Sequence, residues 1–133
     1  MSDPARVDSA LVEAFVGQAH SDLDRVRELL GGYPELVNAA WDWGGGDWET
    51  GLGAAAHMGR RDIALFLLAE GARMDVFAAA MLGELAIVAA MIEAFPELRF
   101  ARGPHGIPLI AHAEAGGDHA AGVLEFLQRA PTA

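Results

Sequence analysis

Apolar positions recur along the chain at the three- and four-residue spacing of short helices. In the first such segment, Val12, Phe15, Val16 and Ala19 fall on one helical face. Alternation of apolar and polar residues, which marks half-buried strands, is not sustained in any segment. The pattern therefore predicts an all-α fold with no significant β-sheet.

Glycines, prolines and capping residues divide this pattern into pairs of helices. Ser9, Thr50 and Asp75 stand where a side-chain oxygen can cap a helix, and Gly83 stands where a helix can end. Short breaks between consecutive segments favour antiparallel neighbours. The expected helices cover about residues 10–20, 23–30, 51–58, 61–70, 76–82, 85–95, 108–115 and 119–128.

The helix pairs repeat one another. A-H-S-D-L-D-R-V-R-E-L-L from Ala19, A-H-M-G-R-R-D-I-A-L-F-L-L from Ala56 and A-M-L-G-E-L-A-I-V-A-A-M-I from Ala80 share a small residue, a break and an aliphatic pattern. Residues 50–75 follow T-x-L-x-x-A-A-x-x-G and then L-L-x-x-G-A-x-x-D. The chain therefore resembles an ankyrin-repeat protein, in which units of a turn and two antiparallel helices stack into an α-solenoid. The resemblance implies a single domain over residues 1–133 with approximate repeats 9–40, 41–74, 75–106 and 107–130.

The spacing of the repeats is irregular. Equivalent breaks at Asp22, Gly59, Gly83 and Gly116 are separated by 37, 24 and 33 residues. By the resemblance, the short middle step has no room for the hairpin finger that ankyrin repeats project, whereas the long first step carries an enlarged one. We therefore predict a notch between this enlarged finger and the G-P-H-G segment, residues 103–106.

The enlarged finger is the segment W-D-W-G-G-G-D-W-E, residues 41–49. It holds the three tryptophans of the chain, together with three carboxylates and three consecutive glycines that favour a turn. Its tryptophan faces could form the wall of a ligand pocket or cover the core. Asp42 and Asp47, if the turn brings them together, could form a carboxylate pair with separated pKa values.

Composition narrows the classes of function. The chain of 133 residues carries nine arginines, no lysine and a net charge of −10, so nucleic acids and anionic membranes are poor partners. It has no cysteine, which excludes disulfides, thiolate nucleophiles and cysteine-based metal sites. No apolar run is long enough to span a bilayer, and the start M-S-D-P-A-R lacks the pattern of a signal peptide. We expect a cytoplasmic monomer.

The ankyrin resemblance also implies where a ligand would bind. Contacts in such stacks come from the finger tips and from the two residues before the glycine that ends the inner helix, here His57 and Met58. Asp47 and Glu49 on the finger should therefore converge on His57, where an imidazole beside a carboxylate can act as a general acid or base. The other candidate ligand-binding residues are Trp41, Asp42, Trp43, Trp48, His20, Met81, Glu114 and His105.

The remaining histidines give no metal motif. No H-x-x-x-H or H-E-x-x-H spacing occurs, so any metal site would depend on the fold to assemble it, and we predict no metal ligand and no cofactor. His112, between two alanines of a predicted helix, is expected to be a core histidine. His105 is expected to be presented on its loop.

Two functions remain open from the sequence. The first is a binding module that recognises a protein or a small ligand through its concave groove and the finger of residues 41–49. The alternative is a small-molecule enzyme, a hydrolase, lyase or isomerase, that uses His57 with Asp47 or Glu49 as acid/base groups in a tryptophan-lined pocket. A repeat domain without a specific ligand is a third possibility.

Overall fold

The computed structural model describes residues 6–129, which are mostly helical. The outer residues of the predicted domain, 1–5 and 130–133, lie outside the described part. None of the helices between residues 6 and 129 is long and apolar enough to cross a membrane. The α-helices are α1 (Ser9–Gln18), α2 (Leu23–Gly32), α3 (Gly51–His57), α4 (Arg61–Ala69), α5 (Val76–Leu82), α6 (Leu85–Ala94), α7 (Leu109–Ala115) and α8 (Ala121–Gln128).

The predicted pairing of helices is confirmed. α1 packs on α2, α3 on α4, α5 on α6 and α7 on α8, and the odd-numbered helices α1, α3, α5 and α7 pack against one another in chain order. Short 3₁₀ helices lie in the connections, at Pro34–Asn38, Pro96–Phe100, Pro104–Gly106 and Gly117–Ala120.

Side-chain caps lie at the starts of α1, α2, α3 and α5. Thr50 Oγ1 accepts from Gly53 N–H at 3.0 Å, and Asp75 Oδ1 accepts from Ala78 N–H at 2.8 Å, which confirms both predicted caps. The prediction for α1 was wrong by one residue. Ser9 is already helical, and the cap is Asp8, whose carboxylate accepts from the Ala10 N–H at 2.8 Å.

The finger contains a short two-stranded sheet that the sequence pattern did not predict. Strand β1 (Ala40–Asp42) pairs antiparallel with β2 (Trp48–Thr50), so that Trp41 lies opposite Glu49. Strands of three residues are too short to give a readable alternation, and this explains why the sequence pattern missed them. The turn is made by Gly44, Gly45 and Gly46, which all have positive φ, and the Asp42 carboxylate accepts from the N–H groups of Gly44 and Gly46.

Small residues let the inner helices approach closely. Ala54, Ala55 and Ala56 of α3, and likewise the alanines of α5, are fully buried. At the α5–α6 turn, Gly83 has φ 80°, and a Cβ there would lie 1.9 Å from the His119 carbonyl oxygen. The core consists of two clusters, one centred on the first two helix pairs and one on the last two. Val12, Phe15, Val16 and Ala19 are buried, as predicted.

Candidate functional site

The hairpin β1–β2 touches the 3₁₀ turn Pro104–Gly106. The backbone N–H of His105 donates to Asp47 Oδ1 at 2.7 Å, and His105 Nδ1 lies 2.8 Å from Asp47 Oδ2. The short connection between α4 and α5 places no finger between the two segments. The two sides of the predicted notch therefore meet in a direct contact, and we correct the expectation of an open notch at this point.

Beneath this contact, three imidazoles surround one buried carboxylate. Glu49 is only 1% exposed. Its Oε1 lies 3.1 Å from His20 Nε2, and its Oε2 lies 3.0 Å from His57 Nε2 and 3.2 Å from His105 Nε2. We call these four residues the Glu49 cluster. Each offers one nitrogen or oxygen atom with a lone pair that could bind a metal ion, and these atoms all lie within 4.8 Å of one another.

Separate elements hold the four side chains in place. Glu49 comes from β2, His20 follows α1, His57 ends α3, and His105 comes from the 3₁₀ turn. His105 has φ 61°, which is an uncommon conformation for a residue with a Cβ. The two hydrogen bonds to Asp47 hold it there, and its ring is thereby aimed at Glu49.

The second nitrogen of two imidazoles is already engaged. His20 Nδ1 lies 3.0 Å from the Val16 carbonyl oxygen and 3.1 Å from that of Gly17. A carbonyl oxygen can only accept, so Nδ1 of His20 carries its hydrogen. His105 Nδ1 meets the Asp47 carboxylate in the same way. In the neutral form of both rings, Nε2 is therefore a lone-pair donor that points into the cluster.

Trp43 forms one side of the cluster. Its Nε1–H donates to Glu49 Oε1 at 2.9 Å, and its ring centroid lies 6.2 Å from those of His20 and His105. This hydrogen bond fixes the rotation of the Glu49 carboxylate, so that Oε2 faces His57 and His105.

The charges in the cluster shift the pKa values of its groups. Burial alone raises the pKa of Glu49, but the adjacent His57 imidazole, the Trp43 indole and the charges of His20 and His105 outweigh it and hold this pKa below its usual value. Partial burial acts to lower the pKa of His105, but Glu49 and Asp47 outweigh it and raise that pKa. The His105 N–H lowers the pKa of Asp47. The site therefore holds a buried, ionised carboxylate.

Two buried atoms of the cluster lack a hydrogen-bond partner among the described residues. These are Glu49 Oε2 and His57 Nε2. They are 3.0 Å apart, which is close enough for a hydrogen bond, but their relative orientation does not allow one. The two atoms are therefore adjacent but form no hydrogen bond with each other.

The structure brings together six of the residues that the sequence singled out. Glu49 and His57 meet as predicted, and His20, His105, Trp43 and Asp47 complete the site. Asp47 contacts His105 and not His57, which corrects the predicted arrangement of the acid/base group. Asp42 does not pair with Asp47, because its carboxylate accepts from the N–H groups of the glycine turn.

The other candidates lie elsewhere. Met81 is buried in the core, so a ligand in the groove would not reach it, whereas Glu114 and Met58 are exposed. His112 is buried in the core, as expected, and its Nδ1 lies 3.0 Å from the Pro108 carbonyl oxygen, whereas its Nε2 has no hydrogen-bond partner among the described residues. Trp41 and Trp48 line a cleft of about 330 Å³ that shares no residue with the Glu49 cluster; its other lining residues are Val7, Ser9, Val12, Ala40 and Asp42.

Known proteins do not identify the site. No family model, no curated protein and no solved structure matched the chain. One sequence signal did point to the cluster: His20 and His57 stand at the same position in the two aligned segments that begin at Ala19 and Ala56, each after an alanine. The sequence could not show that His105 reaches the same carboxylate from a distant turn.

Proposed function

We propose that the protein is a small-ligand-binding module on an ankyrin-like frame, and that the Glu49 cluster is its binding site. Four helix pairs with their odd-numbered helices in a row, and a hairpin before α3, support the ankyrin-like arrangement of about four irregular repeats. The hairpin corresponds to the enlarged finger. The ligand binds where this finger meets the turn of His105.

One observation carries the proposal: three imidazoles from separate segments converge on a single buried carboxylate. Removing an ionised carboxylate from water costs several kcal/mol before its partners compensate. An apolar side chain would fill the same space without that cost. We therefore attribute the cluster to ligand binding and not to stability.

An enzyme is the second candidate, because His57 Nε2 and Glu49 Oε2 are only 3.0 Å apart. In this alternative His57 would act as the acid or base beside Glu49, and Asp47 would act through His105. Of the three tryptophans that the enzyme hypothesis placed in the pocket wall, only Trp43 contacts the Glu49 cluster. Binding ranks first because Trp41 and Trp48, which the enzyme hypothesis placed in a pocket wall, line a different cleft.

The proposal is tested by thermal melting of the full chain against a panel of small ions, organic acids, amines and sugars. The variant Glu49→Gln removes the charge with little change in shape, and His119→Gln changes an exposed histidine outside the cluster. We expect at least one compound to raise the melting temperature of the wild type and of H119Q but not of E49Q. If no compound acts in this way, the small-ligand proposal fails.

A further inference from the structure

We infer that the ligand of the Glu49 cluster is one divalent transition-metal ion of the zinc class, held by Nε2 of His20, His57 and His105 and by the Glu49 carboxylate. The inference rests on the proposed binding function and names the ligand of the same site.

The donor set selects a class of ion. Three imidazole nitrogens and one carboxylate oxygen suit zinc, copper, nickel and iron. Calcium and magnesium take oxygen ligands almost exclusively and are poorly served by three imidazoles. A cation also neutralises the buried negative charge that the fold has placed there.

The distances fit a small coordination sphere. In a tetrahedral zinc site with bonds of about 2.0–2.1 Å, neighbouring ligand atoms are about 3.3 Å apart. Glu49 Oε2 lies 3.0 Å from His57 Nε2 and 3.2 Å from His105 Nε2, close to that separation, and His20 Nε2 lies 3.1 Å from the other carboxylate oxygen, Oε1. All donor atoms lie within 4.8 Å, so small rotations of the side chains would close the sphere.

The outer hydrogen bonds are those of metal-ligating histidines. Such a histidine usually donates its second N–H to a backbone carbonyl or a carboxylate, which fixes the tautomer and the ring orientation. His20 meets backbone carbonyls through Nδ1, and His105 meets Asp47 through Nδ1. In the neutral rings, Nε2 of His20 and of His105 is then the atom that remains to bind a cation beside the Glu49 carboxylate.

The unpartnered atoms point in the same direction. Glu49 Oε2 and His57 Nε2 are buried among the described residues without a hydrogen bond. Groups of this kind normally find a partner or are accounted for by an ion or water.

The test is zinc binding by the full chain, purified without a polyhistidine tag and stripped with a chelator. Titration against a chromophoric zinc chelator should show one site per chain. We expect H57Q, H105Q and E49Q each to weaken binding at least tenfold, with H119Q unchanged. Asp47→Asn, which only positions His105, should weaken it by about ten- to a hundredfold.

X-ray absorption of the zinc-loaded protein gives a readout that does not depend on affinity. It should show nitrogen and oxygen neighbours at about 2.0–2.1 Å with the scattering pattern of imidazoles, and H105Q should reduce the imidazole contribution. Circular dichroism of each variant checks that the helices persist. H105Q alters a turn, so it keeps the test usable if E49Q does not fold.

The outcomes separate this inference from the proposed function. Zinc binding that the site variants leave unchanged, or no zinc binding at all, overturns the metal site. If another compound of the panel then stabilises the wild type but not E49Q, the binding function stands with a different ligand. If nothing in the panel does so, both fail.

Discussion

Glu49 is stabilised in its charged form by contacts that hold it in one rotation. Its Oε1 accepts from the Trp43 indole, and its Oε2 faces two imidazoles. A buried acceptor that loses its donor costs about 1–3 kcal/mol, because the desolvation is not repaid. The indole of Trp43 therefore has a role different from those of the other two tryptophans, which line the separate cleft.

Trp43→Phe should accordingly destabilise the metal-free protein by about 1–3 kcal/mol, measured as the free energy of unfolding in urea. Trp48→Phe is the matched control, because Trp48 is 61% exposed. It should change stability by no more than about 0.5 kcal/mol. Equal effects of the two substitutions would show that the indole hydrogen bond does not stabilise Glu49.

His112 makes stability depend on pH. Burial lowers its pKa, so the ring stays neutral in the folded protein at pH values where an unfolded histidine, with a pKa of about 6.5, already binds a proton. As pH falls through that value, the unfolded state takes up a proton that the folded state does not. The contribution of His112 to stability therefore falls towards acid, with a slope of at most about 1.4 kcal/mol per pH unit.

His112→Gln should remove this slope between about pH 7.5 and 5.5, as measured by urea unfolding at several pH values. His119→Gln is the control, because it removes an exposed histidine. We expect H119Q to keep the acid slope of the wild type. Parallel curves for the wild type and H112Q would contradict the prediction.

At the scale of elements, local signals explain what the sequence could predict. Thr50 and Asp75 cap helices through bonds that span three residues, and Gly83 ends α5 by its own φ. The three-residue strands of the hairpin carry no comparable local signal. The contact of His105 with Asp47 spans 58 residues. The spacing of the breaks predicted that the two segments flank the same gap, but no local pattern shows that they touch.

The turns between helices approach one another closely, and glycine permits this. Gly83→Ala should destabilise the protein more than Gly71→Ala. Both residues have positive φ, but a Cβ at Gly83 would lie 1.9 Å from the His119 carbonyl oxygen, whereas nothing lies within 4 Å of one at Gly71. Both substitutions carry backbone strain of about 1–2 kcal/mol, and G83A must also push the α7–α8 connection away. Equal losses in thermal melts would argue against the close approach.

At the scale of the whole molecule, the Glu49 cluster links the two halves of the core. His20, Glu49 and His57 belong to the first two helix pairs and their hairpin, while His105 belongs to the turn before α7. The two hydrophobic clusters divide at nearly the same place. Parts of a folded protein can open separately, so a ligand held by both halves should couple their opening.

Zinc at about a hundred times its dissociation constant would add about 2.7 kcal/mol to the stability of the binding-competent state. In the wild type, we expect zinc to slow amide hydrogen exchange in α1 and α3 and also in α7 and α8, because His105 ties the last pair to the ion. In H105Q, measured at matched saturation, the remaining ligands all come from the first half, so α7 and α8 should exchange as they do without zinc. Equal protection of α8 in both proteins would mean that the halves are coupled through their packing and not through the ion.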